Sequence, residues 1–216
     1  METEAYPHML KSTEKWKSYW ANRDIDWLKA YGNWDHPHRF LISSALMTFG
    51  WRSLFEVGCG AGANLVNIIK NFKEKQVGGC DIAPEAIAAA GTQLKGAILK
   101  VGSVEDIMMS DTSTDVVLSD MCLIYIEPSK IDGVIEEMKR VARSYLVLCE
   151  FHHESWIKRL QLRLKSGYNS YNYRSLLEKH GFYDIQIGKI PEAYWPGGEP
   201  QKTYGNIIIA KITKRK

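Results

Sequence analysis

From residue 52 onward, short apolar runs alternate with longer stretches whose apolar residues recur at helical spacing. "SLFEVGC" predicts a buried strand, and "ANLVNIIKNF" after it predicts a helix. "QVGGCDI" and "PEAIAAAGTQL" repeat the pair, with Pro84 suited to a first helical turn. "GAILKVGS" predicts a third strand and "TDVVLSDM" a fourth. "PSKIDGVIEEMKRVA" then predicts a helix with Pro128 near its start, and "SYLVLCE" a fifth strand. Runs this apolar are strands buried on both faces, and helices alternating with them predict a parallel sheet.

The ends break the pattern. Residues 9–50 are rich in Trp, Tyr and His and predict two helices, over 10–21 and 37–48. Asp35 is the expected cap of the second, with His36 and Pro37 opening it. After residue 181, "YDIQIGKI" and "NIIIAKIT" predict two strands joined by "PEAYWPGGEPQKTYG". That loop is too short for a helical crossover, so the two strands are expected to be antiparallel. The fold class is α/β, a Rossmann-like doubly wound sheet with a terminal hairpin and an N-terminal helical cap.

Composition narrows the picture. A chain of 216 residues with 45% hydrophobic and 25% charged residues has the balance of one folded domain with a substantial core. The net charge is +3 and much of it lies in the terminal "KITKRK", so charge gives little reason to expect a nucleic-acid partner. No apolar run approaches a membrane span, and "METEAYPHMLK" lacks a signal-peptide layout. Cys59, Cys80, Cys122 and Cys149 form no C-x-x-C pair and fall in or beside predicted strands. They read as reduced core thiols, and the expected location is cytoplasmic.

The chemistry concentrates in "LFEVGCGAGANL". Gly58, Gly60 and Gly62 end the first strand, where open α/β sheets bind ligands. Bare backbone there admits close approach and positive φ. The spacing is G-x-G-x-G, not the G-x-G-x-x-G of a dinucleotide loop. Glu56, two residues before the first glycine, is an awkward neighbour for pyrophosphate but suits a cationic ligand. Asp81 ends the second strand, where a carboxylate can accept both ribose hydroxyls or, alternatively, cap the following helix. Together these features suggest an adenosine ligand carrying positive charge.

"FEVGCGAGANL", "GCDIAPEAI", "GSVEDI", "DVVLSDMCLIYI" and "MKRVARSYLVLCE" resemble, in order, the motifs of class I S-adenosylmethionine-dependent methyltransferases. The resemblance covers roughly residues 52–150 and implies seven strands, the last antiparallel. It also implies S-adenosyl-L-methionine as cofactor and S-adenosyl-L-homocysteine as product. By that resemblance Glu56, Gly58, Gly60 and Gly62, with Cys59 and Asn64, surround the methionine part, and Asp81 holds the ribose. Ile82 packs on adenine, and Ser103 and Val104 line its edge, although the family often has Asp where Ser103 stands. Ser119, Asp120 and Met121 match the segment passing near the transferring methyl. The single domain over 1–216 then divides into a cap (1–50), a donor-binding core (51–150), and a substrate-side helix with the hairpin (151–216).

The acceptor leaves a fainter trace. His152 and His153 follow the fifth strand and are candidate general bases, with Tyr125 a third catalytic candidate. Tyr19, Trp20, Trp27, Tyr31 and Trp34 form either a lid over the substrate or plain packing for the cap. Trp195 lies in the hairpin loop, which is suited to closing over a small acceptor. Arg39 is a candidate partner for the methionine carboxylate. His36 and His38 with His152 and His153 suggest a metal, but H-x-H suits a strand better than a helix start and no carboxylate or cysteine completes the set. No metal is expected. "SDMC" stands where DNA-adenine methyltransferases carry N-P-P-Y or D-P-P-Y, and no Pro-Cys pair marks a cytosine nucleophile. The expected reaction is methyl transfer to O or N of a small molecule. An RNA acceptor and a non-catalytic partner protein are the alternatives, and the nicotinamide-oxidoreductase reading is disfavoured by the glycine spacing and Glu56.

Overall fold

The computed structural model describes residues 12–195 and 198–213. The chain opens with three helices, α1 (Thr13–Ala21), α2 (Trp27–Tyr31) and α3 (Pro37–Leu46). Ser12 Oγ caps α1 by accepting from Lys15 N (3.3 Å), and an Asp26 carboxylate oxygen caps α2 from Lys29 N (3.0 Å). The expected Asp35 cap does not form. His36 holds that position without a side-chain bond, Asp35 lies one residue too early, and Pro37 occupies the first turn, where no N–H needs a partner. Residues 10 and 11 of the predicted first helix lie outside the described residues.

The alternating part follows as β1 (Ser53–Val57), α4 (Ala63–Asn71), β2 (Gln76–Asp81), α5 (Pro84–Gln93), β3 (Ile98–Val101) and β4 (Thr114–Asp120). After it come α6 (Ile131–Val141) and β5 (Ala142–Phe151). Two helices, α7 (Trp156–Ser166) and α8 (Tyr173–Lys179), stand where one was expected. The hairpin of β6 (Phe182–Lys189) and β7 (Gly205–Ile212) closes the chain, its loop holding a short α9 (Gln201–Tyr204). The seven strands lie in the order β3-β2-β1-β4-β5-β7-β6. β1 to β5 are parallel, and β7 is antiparallel to both its neighbours.

Period-two alternation sorts the strand residues between two cores. Phe55, Val57, Val117, Leu146 and Leu148 face α6 and α8, against Val134, Ile135, Met138 and Leu177. Leu54, Val116, Leu118, Val147 and Cys149 face the other way, against Ile42 and Leu46 of α3 and Leu65 and Ile68 of α4. Each fully buried aliphatic side chain contributes roughly 1.5–3 kcal/mol, so the two-sided burial of β1, β4 and β5 fixes the doubly wound arrangement. The order reverses between β1 and β4, which opens a crevice at their carboxyl ends. Among the described residues no helix is long and apolar enough to cross a membrane.

Candidate active site

At that crevice β1 hands over to α4 through Gly58, Gly60 and Gly62, whose φ values are 67°, 52° and 79°. A Cβ on Gly58 would lie 2.5 Å from Cys122 Sγ, so this glycine lets the loop pass beneath the chain leaving β4. Around Gly60 a Cβ would meet nothing within 4 Å, because this backbone faces a cavity of about 300 Å³.

Three carboxylates reach the cavity from the ends of β1, β2 and β4: Glu56, Asp81 and Asp120. Asp81 accepts from Gly60 N through Oδ2 and from Ala83 N through Oδ1, both at 2.9 Å. It therefore ties the glycine loop to the residue before α5. Ala83 holds the helix's cap position without a side-chain cap bond, so Asp81 closes a turn ahead of the helix rather than capping it. Burial pushes its carboxyl above the ordinary range.

Glu56 and Asp120 share one amide. Asn64 Nδ2 donates to Glu56 Oε1 (2.6 Å) and to Asp120 Oδ2 (2.9 Å), while Asn64 Oδ1 accepts from Arg39 Nη1 (2.6 Å). His38 Nε2 lies 2.9 Å from Asp120 Oδ2, and Arg39 Nη1 lies 3.5 Å from it. Burial, with Asp120 and Asp81 adding to it, pushes the Glu56 carboxyl up to about 8 against the Asn64 bond. Burial pushes Asp120 up as well, but His38 and Arg39 outweigh it and hold that carboxyl well below the usual range. Glu56 Oε2 and Asp120 Oδ1 are buried with no protein hydrogen-bond partner. Two acceptors left over at the rim of one cavity fit a ligand carrying N–H donors and positive charge.

Much of the rest of the wall is aromatic. Trp16, Trp20, Trp27 and Tyr31 come from the cap, Tyr125 from the turn after β4, and Trp195 from the hairpin loop. Trp16 packs on Tyr125 at 4.7 Å, Trp20 on Tyr125 at 5.5 Å, and Trp195 stacks on His38 at 4.3 Å. Reciprocal bonds fasten the cap: Thr13 N donates to Glu127 Oε2 (3.0 Å) and Glu127 N to Thr13 Oγ1 (2.8 Å). Lys17 and Lys130 pair with Glu105, so this acid serves the cap rather than the solvent.

Of the residues singled out in the sequence, Arg39, Glu56, Gly58, Cys59, Gly60, Asn64, Asp81, Ile82, Ser103, Val104, Met121, Tyr125, Trp20 and Trp195 line the cavity. Five others do not. Gly62 packs on Ala90 and Leu94. Ser119 is fully buried and donates to Glu150 Oε1 (2.7 Å). Tyr19 stands outside the wall, edge-on to Trp16 and Trp20. Trp34 sits under the Lys70 ammonium at 4.2 Å. His152 Nδ1 accepts from Tyr173 N (3.1 Å), and His153 Nδ1 accepts from Ser155 N (3.0 Å). Both histidines thus lie beside helix starts, off the cavity. In the sequence His38 figured only among the histidines weighed as metal ligands, and Asp120 had no role of its own. Asp120 had a usable signal, since it ends the fourth strand as Asp81 ends the second. His38 had none, because only the docking of α3 against β4 brings it there. Among the described residues no group of His, Cys, Asp and Glu is arranged to hold a metal ion.

A seven-stranded doubly wound sheet with an antiparallel β7, and a glycine loop and strand-end acids at its switch point, define the fold of class I S-adenosylmethionine-dependent methyltransferases. Residues 54–144 match the family described as "Methyltransferase domain". The chain is similar to ajmaline N-methyltransferase of Rauvolfia serpentina, 30% identical over 48% of this chain and 38% of the relative. It is also similar to the tRNA N(3)-methylcytidine methyltransferase Mettl2 of Drosophila melanogaster, 29% identical over 54% of this chain and 38% of the relative. The chain thus spans well under half the length of either curated relative. Among solved structures it resembles the plantazolicin methyltransferase BpumL in complex with a pentazolic desmethyl analogue and SAH. That likeness has a TM-score of 0.64 at 16% identity, covering 95% of this chain and 97% of the other.

Proposed function

We propose that this protein is an S-adenosylmethionine-dependent methyltransferase acting on O or N of a small-molecule acceptor. The observation that carries the donor half is the pair of partnerless carboxyl oxygens, Glu56 Oε2 and Asp120 Oδ1, in the same cavity as Asp81. When bound, the donor supplies an electrophilic methyl on a sulfonium whose thioether leaves readily. Asp81 would accept the ribose hydroxyls, and Ile82, Ser103 and Val104 would enclose the adenine. Glu56 and Asp120 would take the ammonium, while Arg39, oriented by Asn64 and by the Asn33 carbonyl (2.8 Å), would pair with the carboxylate. The chain's task in such a transfer is alignment and exclusion of water, for which the aromatic side chains of the wall are suited.

The acceptor half rests on Trp16, Trp20, Tyr125 and Trp195, a set suited to a flat or apolar small molecule. Tyr125 is the catalytic candidate that lines the cavity. A single cytoplasmic domain accords with four free cysteines. The RNA reading draws on the tRNA-modifying relative, and a non-catalytic partner would bind the donor without turnover. The test is transfer of a tritiated methyl from the donor to a panel of small phenols and amines, and separately to bulk tRNA. Label in a small acceptor supports the proposal. Label in tRNA alone favours the RNA reading, and label in neither moves the non-catalytic partner forward.

A further inference from the structure

Helix α7, "WIKRLQLRLKS", carries its apolar residues on the side away from the protein. Its one buried residue is Leu162, which packs with Phe151, Ile124 and Tyr204. Trp156, Ile157, Leu160 and Leu164 are 65%, 51%, 45% and 63% exposed. At about 100° per residue these four fall within an arc of about 100°, centred nearly opposite Leu162. A helix held only by its core would show the reverse pattern. Nothing among the described residues covers this stripe.

Charge identifies the occupant. The helix holds Lys158, Arg159, Arg163 and Lys165 and no acid. Arg159 and Arg163 border one edge of the stripe, and Lys158 and Lys165 lie beyond the other. Arg159 Nη1 donates to the carbonyls of His153 (2.8 Å) and Glu154 (2.6 Å), which leave its charge in place, and Arg163 lies 3.9 Å from Glu127. Glu154, two residues before the helix, is the nearest acid in sequence. A second copy of this chain would set four cations against four. A nucleic acid would meet the cations but find aliphatic side chains at the centre of the face. An anionic lipid surface satisfies both features, with the stripe at the acyl boundary, Trp156 at the interface and the cations among the headgroups.

We propose that α7 is a docking helix for anionic membrane surfaces, lying in the plane of the interface without crossing it. The proposal is independent of the donor and acceptor assignments. Its test is flotation of the full chain with phosphatidylcholine vesicles, with and without phosphatidylserine. The expected result is flotation with the anionic vesicles, at least tenfold weaker with phosphatidylcholine alone and weakened by salt. Combined Trp156→Ser, Leu160→Ser and Leu164→Ser substitutions, at exposed sites, should preserve circular dichroism and melting while reducing flotation at least tenfold. Lys158→Glu with Lys165→Glu should also weaken it. Failure of the unaltered chain to float, or equal flotation of the triple variant, overturns the proposal. So does a dimer abolished by the serine substitutions without flotation, which would make the face a self-association surface. Binding of single-stranded RNA that survives the serine substitutions, in the absence of flotation, would reassign the face to nucleic acid.

Discussion

His38 Nε2 and Asp120 Oδ2 are 2.9 Å apart, joining the N-terminal cap to the end of the fourth strand in the cavity wall. Both side chains are more than nine-tenths buried. The contact therefore couples the seating of the cap to the charge of an acid that lines the cavity. Breaking a buried pair by removing one partner typically costs about 3–5 kcal/mol, because the survivor is left uncompensated. His38→Ala should lower unfolding free energy by about that amount in denaturant titrations and weaken donor binding. His38→Gln, which keeps a donor, should recover part of both.

Glu56 should make donor binding depend on pH. With its carboxyl at about 8 in the free protein, it holds a proton at neutral pH. Binding an ammonium beside it favours the carboxylate, so the proton must leave. Affinity for S-adenosylmethionine should then rise between about pH 6 and 8, with proton release detectable in buffers of different ionisation enthalpy. Glu56→Gln should abolish both the proton release and this pH slope.

Glu150 affects stability in the same pH range. Its Oε1 accepts from Ser119 Oγ (2.7 Å), Cys122 N (2.9 Å) and Leu123 N (2.9 Å), anchoring the turn after β4, while Oε2 is buried without a partner. Burial pushes this carboxyl up to about 8, above the 4.5 of an unfolded glutamate. The folded state therefore binds more protons than the unfolded state between those values. The stabilisation is complete below pH 4.5 and is lost as pH rises toward 8. Glu150→Gln keeps an acceptor oxygen without the charge, so it should melt higher than the unaltered protein at pH 8.5 and show a flatter melting-temperature profile.

Gly60→Ala separates fold from binding. An added methyl meets no atom within 4 Å, but the φ of 52° is left-handed. The expected cost is roughly 1–2 kcal/mol of stability, read from chemical unfolding. Because the methyl enters space next to Asp81, donor affinity should fall at least tenfold while the protein stays folded.

Much of this site could be read from the chain because it is built from strand ends. The run around Leu54 to Val57 located β1, and the glycines and Asp81 then followed from the rule that ligands bind at carboxyl ends of parallel strands. The family resemblance supplied the strand count, and the short loop between the last two strands already predicted their antiparallel pairing. What escaped were contacts made between distant segments. His38 reaches Asp120 across 82 positions, and Trp16 lines the cavity from a helix whose periodicity says only that it is amphipathic. The histidines after β5 looked catalytic because their position along the chain was right. The backbone bends there into α7, and their ring nitrogens accept from helix-start amides instead.

On the reading proposed above, Asp81, Glu56 and Asp120 form one site for an adenosyl sulfonium. Calorimetric titration with S-adenosylmethionine, S-adenosylhomocysteine and NADH, repeated on Asp81→Ala, tests it most directly. The expected result is saturable binding of both adenosyl compounds, lost in the variant, and no binding of NADH. Binding of NADH alone, or adenosyl binding that Asp81→Ala leaves unchanged, would contradict it.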